Sequence, residues 1–194
     1  MAMWDRIKDQ AKTLQQQAQA SGRPGSGSGS APGSAPQSHG RPAAQGSGSK
    51  AQLVGLLKTQ LTSLKTELKS GAYRDASMAV CALVAAADGH VDPTERQHVE
   101  SLILSNDVLQ NFPADQLRTR FNKHVDQLMA DPIRGRAEAL QEVAKAAKKP
   151  AEARAVIQTG IVVAGADGYI SPAEEQILRD ACATLGISSA EFGI

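Results

Sequence analysis

Two short acidic segments repeat along the chain and restrict the folds that it can adopt. Residues 87–96 read ADGHVDPTER, and residues 166–175, 79 positions later, read ADGYISPAEE. Each copy follows an alanine-rich apolar run and leads into a run that opens with proline. Glycine adopts the positive φ that ends a helix, and proline fits the first position of the next one. The repeat therefore predicts two copies of a helix–loop–helix unit.

The remaining sequence of residues 50–194 has the 3.6-residue period of helices. One apolar stripe, predicted to end at Gly71, consists of Leu53, Leu57, Leu61, Leu64 and Leu68. A second helix is predicted over residues 73–87. First helical positions are predicted at Pro93, Pro113, Pro132, Pro150 and Pro172, with N-caps at Asp92, Asp131 and Ser171. A capping box at residues 188–191 predicts a final short helix. These patterns indicate an all-α fold, a compact bundle of seven or eight helices with pseudo-repeated acidic helix–loop–helix motifs.

Composition divides the chain into three parts. Residues 1–20 have apolar side chains spaced three and four apart and are predicted to form an amphipathic segment. Residues 21–49 are rich in Gly, Ser and Pro, which predicts a disordered linker with an end-to-end distance of roughly 30 Å. Residues 50–194 form the predicted folded domain.

Charge and cysteine content exclude several classes of protein. The formal net charge is +1, without the one-sided concentration of Lys and Arg that marks nucleic-acid binding. Cys81 and Cys182 lie among apolar neighbours and are predicted to be buried free thiols in a reducing compartment. The N-terminus shows no apolar signal core, and no apolar run is long enough to span a bilayer. We therefore expect a cytoplasmic protein whose membrane contact, if it has one, is peripheral at the inner face.

The first interpretation of the repeat is purely structural. Residues 92–95 and 171–174 both fit the capping-box pattern. In this pattern the cap side chain accepts the backbone N–H of a glutamate three residues later, and that glutamate's side chain accepts the backbone N–H of the cap residue. Gly89 and Gly168 would supply positive φ. This interpretation does not require Asp88 or Asp167, and it leads to a metal-independent structural adaptor.

The second interpretation is a metal site, because both copies match the last half of an EF-hand calcium loop. In that register the predicted ligands are Asp88, Asp92 and Glu95 in the first copy, and Asp167, Ser171 and Glu174 in the second. The first half of the loop is absent, so each copy supplies about four or five oxygens where Ca²⁺ takes six to eight. Oxygen donors favour a hard cation, Ca²⁺ first, with Mg²⁺ and Mn²⁺ as alternatives.

A catalytic interpretation has less support. Glu95 and His98 have the Glu-x-x-His spacing of di-iron bundles, but Ile177 stands where the second copy would need histidine. No Ser or Cys nucleophile signature is present. We expect a protein that is not an enzyme.

Several blocks of the sequence resemble the tellurite-resistance TerB family. They are AVCALVAAADGHVDPTE, VVAGADGYISPAEE and LGISSAEFGI within residues 50–194, and MWDRIKD near the N-terminus. The resemblance implies an all-helical cytoplasmic domain with two acidic motifs that bind metal, corresponding to Asp88, Asp92, Glu95, Asp167, Glu174 and Glu175. Because Ser171 stands where an acidic residue would strengthen the second motif, we expect the second site to be weaker.

The same resemblance implies a role in tellurite and other stress resistance. It implies partners as well, a TerC-like membrane protein and TerD-like calcium-binding proteins, with no nucleic acid among them. The function expected from the sequence is therefore a divalent-metal-binding interaction module.

Overall fold

The computed structural model describes residues 47–194, with side chains described from Lys50 onwards. The amphipathic segment predicted for residues 1–20 and nearly all of the predicted linker lie outside the described residues. Within residues 47–194 the chain forms seven α-helices and no strand. The predicted all-α bundle of seven or eight helices is therefore confirmed.

The helices follow one another through short connections. They are α1 (Ser47–Ser63), α2 (Gly71–Ala85), α3 (Pro93–Ser105), α4 (Ala114–Ala130), α5 (Pro132–Ala144), α6 (Pro150–Ala164) and α7 (Pro172–Leu185). Three 3₁₀ turns accompany them, at Leu109–Asn111, Lys145–Lys148 and Ser189–Phe192. None of the helices in the described part of the chain is both long and apolar enough to cross a membrane.

Proline begins four of the helices as predicted, and three of them follow a predicted cap. Proline stands in the first turn of α3, α5, α6 and α7. The caps that accept backbone N–H groups there include Asp92, Asp131 and Ser171. Pro113 differs, because it is the residue before α4 and not its first residue. At that position its fixed φ still directs the chain into the helix, and its missing N–H costs no hydrogen bond.

Two sequence predictions about helix ends were wrong. The helix predicted to run to Gly71 stops at Ser63, and Gly71 is instead the first residue of α2. Ser70 caps α2 by accepting the Tyr73 N–H, and Leu68 is buried from the non-helical segment between α1 and α2. The capping box predicted at residues 188–191 does not form, since the Ser188 side chain makes no capping hydrogen bond and only a 3₁₀ turn follows.

The core is centred on α2 and α6, the two helices that precede the acidic loops. In α2, ten of the twelve positions from Tyr73 to Val84 are buried, and α6 is buried along nearly its whole length. A helix that is apolar on all sides belongs inside a bundle. The other helices bury one face each and surround this pair.

The two central helices run in the same direction. Ser70, at the start of α2, donates to Glu152 in the first turn of α6 at 2.7 Å. Further along, Gly160 of α6 packs against Val80 of α2. The contact is so close that a Cβ added to Gly160 would lie only 2.4 Å from Val80 Cγ1. Because the contacts advance together along both helices, their C-terminal ends lie at the same end of the bundle.

Both cysteines are buried and free, as predicted.

Candidate functional site

The first acidic loop, residues 86–92, connects α2 to α3. Gly89 at its centre has φ of +88°, a conformation that other residues adopt only with strain. Just before it, the Asp88 carboxylate oxygen Oδ1 accepts the His90 N–H at 3.1 Å. The aspartate therefore folds the turn around the glycine.

The first loop ends in a complete capping box. Asp92 Oδ1 accepts the N–H of Thr94 at 2.7 Å and that of Glu95 at 2.9 Å. In return, Glu95 Oε2 accepts the Asp92 N–H at 3.1 Å. This confirms the predicted capping box, which fixes both carboxylates at the first turn of α3.

The second loop, residues 165–171, repeats the same conformation between α6 and α7. Gly168 has φ of +84°, and Asp167 Oδ1 accepts the Tyr169 N–H at 2.9 Å. Ser171 Oγ accepts the Glu174 N–H at 3.2 Å, and Glu174 Oε2 accepts the Ser171 N–H at 2.7 Å. The residues that cap the preceding helices have identical angles, φ −90° and ψ 13°. The two loops are therefore conformational copies.

Negative charge is concentrated in the first loop. Burial raises the pKa of Glu95, and the nearby carboxylates of Asp92 and Asp88 raise it further. The Asp92 pKa moves the other way, lowered chiefly by the hydrogen bond from the Glu95 N–H. Glu95 and its counterpart Glu174 are each only 6% exposed. A cation close to these groups would relieve the repulsion on Glu95.

Glu175 lies outside this arrangement. Its carboxylate pairs with Lys50 of α1 through Oε1, and with Arg179 through Oε2 at 3.1 Å. Two cations already neutralise the side chain, which connects α1 to α7. The other predicted ligands lie in the loops or in the helical turns that the loops cap.

The parallel arrangement of α2 and α6 places both loops at one end of the bundle. The side chains do not, however, form a shared cage. Among the residues with described side chains, no three His, Cys, Asp or Glu groups are positioned to hold one metal ion. Among these side chains, the carboxylates of the two loops therefore do not converge on one common point, and the di-iron-type spacing at residues 95–98 does not become part of a three-ligand cluster.

The hydrogen bonds described within the loops use only one oxygen of each aspartate carboxylate. Asp88, Asp92 and Asp167 each use Oδ1 in the backbone bonds described above, and Oδ2 takes no part in those bonds. An ionised carboxylate offers about four acceptor positions. The same carboxylate can therefore accept a backbone N–H and contact a cation. Such carboxylates fit a hard ion that keeps some of its water ligands.

A cavity of about 190 Å³ lies beside the first loop. Its lining includes Ala87 and Gly89 of the loop, together with side chains from α2, α4, α5 and α7. No sequence motif predicts this cavity. Its walls combine residues between 83 and 177 in the sequence, so no local pattern marks it.

The family to which the chain belongs is identified by a match to a family model. A family model described as Tellurite resistance protein TerB matches residues 74–194, more than half of the chain. The chain belongs to the TerB family. The TerB match contains both acidic loops and six of the seven helices at least in part; α1 lies outside it. No curated protein and no solved structure matches the chain. The TerB relationship associates this domain with tellurite resistance.

Proposed function

We propose that this TerB domain is a non-enzymatic module that binds a divalent cation and presents a surface to partner proteins. The main support is the conformational identity of two loops at one end of the bundle. Both retain an aspartate, Asp88 or Asp167, ahead of the glycine, although the capping box does not need it. The proposed cation site is a half-site in each loop.

The proposed ligands are all oxygen donors. In the first loop they are Asp88, Asp92 and Glu95, and in the second Asp167, Ser171 and Glu174. Such donors suit Ca²⁺, with Mg²⁺ and Mn²⁺ as alternatives. A bound ion supplies positive charge, which lowers the repulsion among the first-loop carboxylates. Because water must complete the coordination, we expect a Kd of about 10⁻⁴–10⁻³ M, in the range of weak calcium modules.

The second candidate function is a metal-independent adaptor. It is favoured by the fact that every loop carboxylate already accepts at least one backbone N–H. It is favoured too by the lack of three convergent ligands among the described side chains. In this case the acidic loops serve as turns and caps, and added metal changes nothing.

Terbium luminescence separates the two functions. Tyr169 lies in the second loop and is 45% exposed, so its ring is positioned to sensitise Tb³⁺ bound there. The metal function predicts sensitised emission that millimolar Ca²⁺ displaces, and a higher Tm in Ca²⁺ than in chelator. Absence of both effects supports the adaptor.

Asparagine variants separate charge from turn geometry. Asp88→Asn and Asp167→Asn retain an oxygen that accepts the same N–H while removing the negative charge. The metal function predicts that the double variant keeps its helical circular dichroism and loses the terbium signal. Asp115→Asn, an exposed aspartate at the start of α4, is the matched control and is expected to keep the signal.

The proposed partners follow from the family. They are a TerC-like membrane protein and TerD-like calcium-binding proteins, contacted in the cytoplasm with peripheral association at the inner membrane face. Nucleic acid is not a proposed partner. Co-purification from the membrane fraction with and without chelator tests this assignment, and we expect chelator to reduce recovery of the partners.

A further inference from the structure

The cavity beside the first loop has mainly apolar walls. They are formed by Leu83 of α2, Ala86 of the first loop, Leu128 and Met129 of α4, and Ile177 of α7, and the charged residue in the lining is Arg136 of α5. An engineered apolar cavity of about 150 Å³ in another protein accepts benzene. The volume here, about 190 Å³, therefore suits one large aliphatic or aromatic side chain.

Exposed apolar groups extend this surface. Met129 is 36% exposed, and Ile133, which follows the lining residue Pro132, is 86% exposed. Large apolar side chains grouped on a surface around a cavity are characteristic of interaction sites. The docking surface consists of the cavity together with Met129 and Ile133.

The charge around this surface is negative. Asp88 precedes the lining residue Gly89, and Asp131 precedes Pro132. Two arginines lie there as well, the lining residue Arg136 and its neighbour Arg134, and each already pairs with a carboxylate, Asp180 and Glu138 respectively. The charged groups named here are four carboxylates and two guanidinium groups, so the docking surface offers apolar contact with an excess of negative charge.

We infer that the docking surface binds a basic amphipathic helix of a partner protein, with one large apolar side chain in the cavity. Lys or Arg on the flanks of that helix would face Asp88 and Asp131. A helix is the fitting form because residues 47–194 contain no strand whose edge could pair with an extended peptide.

The same charges disfavour the other occupants. Two copies of this chain related by symmetry would bring like carboxylates together, since a twofold interface places the same patch on both sides. Anionic lipid would meet the same negative rim. The inference does not depend on the metal proposal, so its test is carried out in chelator.

The test uses a fluorescent 14-residue peptide of Leu and Lys in helical amphipathic order. Binding to the full chain is measured by anisotropy in EDTA. We expect saturable binding that weakens as salt screens the charges. A Leu/Glu peptide of the same pattern and a Leu/Lys peptide of scrambled order are expected not to bind.

Variants locate the binding to this surface. Ile133→Lys and Met129→Lys are each expected to weaken binding about tenfold or more, the loss typical when a central contact is removed. Leu56→Lys is the matched control, because Leu56 is 64% exposed on α1 and outside the docking surface. Its affinity is expected to match that of the original chain. Circular dichroism confirms that each variant is folded.

Several results would overturn the inference. Equal affinity in all three lysine variants would place the peptide elsewhere, and equal binding of the Leu/Glu peptide would remove the role of charge. Sedimentation showing dimers that Ile133→Lys dissociates would identify a second copy as the occupant. Binding of anionic vesicles that Ile133→Lys abolishes would identify lipid.

Discussion

The phenol oxygen of Tyr73 lies 2.9 Å from the hydroxyl oxygen of Thr159, joining the two central helices inside the core. Thr159 Oγ1 donates its own hydrogen to the Ala155 carbonyl at 2.8 Å. Tyr73 is therefore the donor in the bond between the helices. Burial raises the pKa of Tyr73 to about 12, so the phenol keeps this proton throughout the physiological range.

Removal of this hydrogen bond is expected to destabilise the domain. Tyr73→Phe leaves Thr159 without its donor in a dry core, which typically costs about 1–3 kcal/mol in free energy of unfolding. Urea denaturation measures the loss. Thr159→Val is expected to cost a similar amount, and the double variant less than the sum, because both single changes remove the same bond. Strict additivity would contradict the pairing.

Two helical glycines should respond in opposite directions to alanine. In α6, a Cβ at Gly160 would meet Val80 Cγ1 at 2.4 Å and Leu178 Cδ2 at 3.0 Å. Gly160→Ala is therefore expected to destabilise by about 1–3 kcal/mol through overpacking. In α1, a Cβ at Gly55 would meet nothing within 4 Å. Gly55→Ala is expected to stabilise by up to about 1 kcal/mol through helix propensity. Thermal unfolding of both variants checks the contrast.

His124 should make stability fall in mild acid. Its side chain is 7% exposed, and Nδ1 has no hydrogen-bond partner. Burial lowers its pKa, and although Glu142, Asp75 and Glu138 oppose this, the net shift is downward. The unfolded chain then binds this proton more readily than the folded chain does. Stability is expected to decrease as the pH falls below the unfolded value of about 6.5.

His124→Gln provides the check on that pH dependence. We expect Tm to fall less between pH 7.5 and pH 5.5 in the variant than in the original chain. An identical slope in His124→Gln would show that other groups cause the acid sensitivity.

The two thiols should be unreactive in the folded domain. Burial raises the pKa of Cys81 to about 12 and that of Cys182 to about 11, and both side chains are at most 1% exposed. A thiolate is the reactive form. A chromogenic disulfide reagent at pH 8 is expected to detect no thiol before denaturation and two after it. Rapid labelling of the native chain would contradict the burial.

Local sequence signals predicted much of this structure. The order Asp92-Pro93-Thr94-Glu95 contains every group of the capping box, and Gly89 provides the positive φ, so both features follow from neighbouring residues. For the same reason the copy at residues 168–174 was predictable. The direction of α2 relative to α6 was not, because it depends on contacts between residues about 80 positions apart.

The errors arose where tertiary contacts outweigh periodicity. Leu64 and Leu68 continue the helical spacing of α1, yet Asn111 donates to the carbonyls of Lys65 and Leu68 and holds that segment as a turn. The pairing of Glu175 with Lys50 of α1 could not be predicted either, because no local pattern reveals that partner, and the role of Glu175 as a ligand stays a prediction. The metal ligands and partner proteins remain predictions.

The common direction of α2 and α6 has an electrostatic consequence beyond the placement of loops. The backbone dipoles of neighbouring antiparallel helices largely cancel, whereas those of parallel helices add, each contributing about half an elementary charge at its ends. The carbonyl ends of both central helices therefore reinforce the negative potential of the acidic loops. A positively charged molecule diffusing towards the domain would be steered to that pole of the bundle before it touched any side chain.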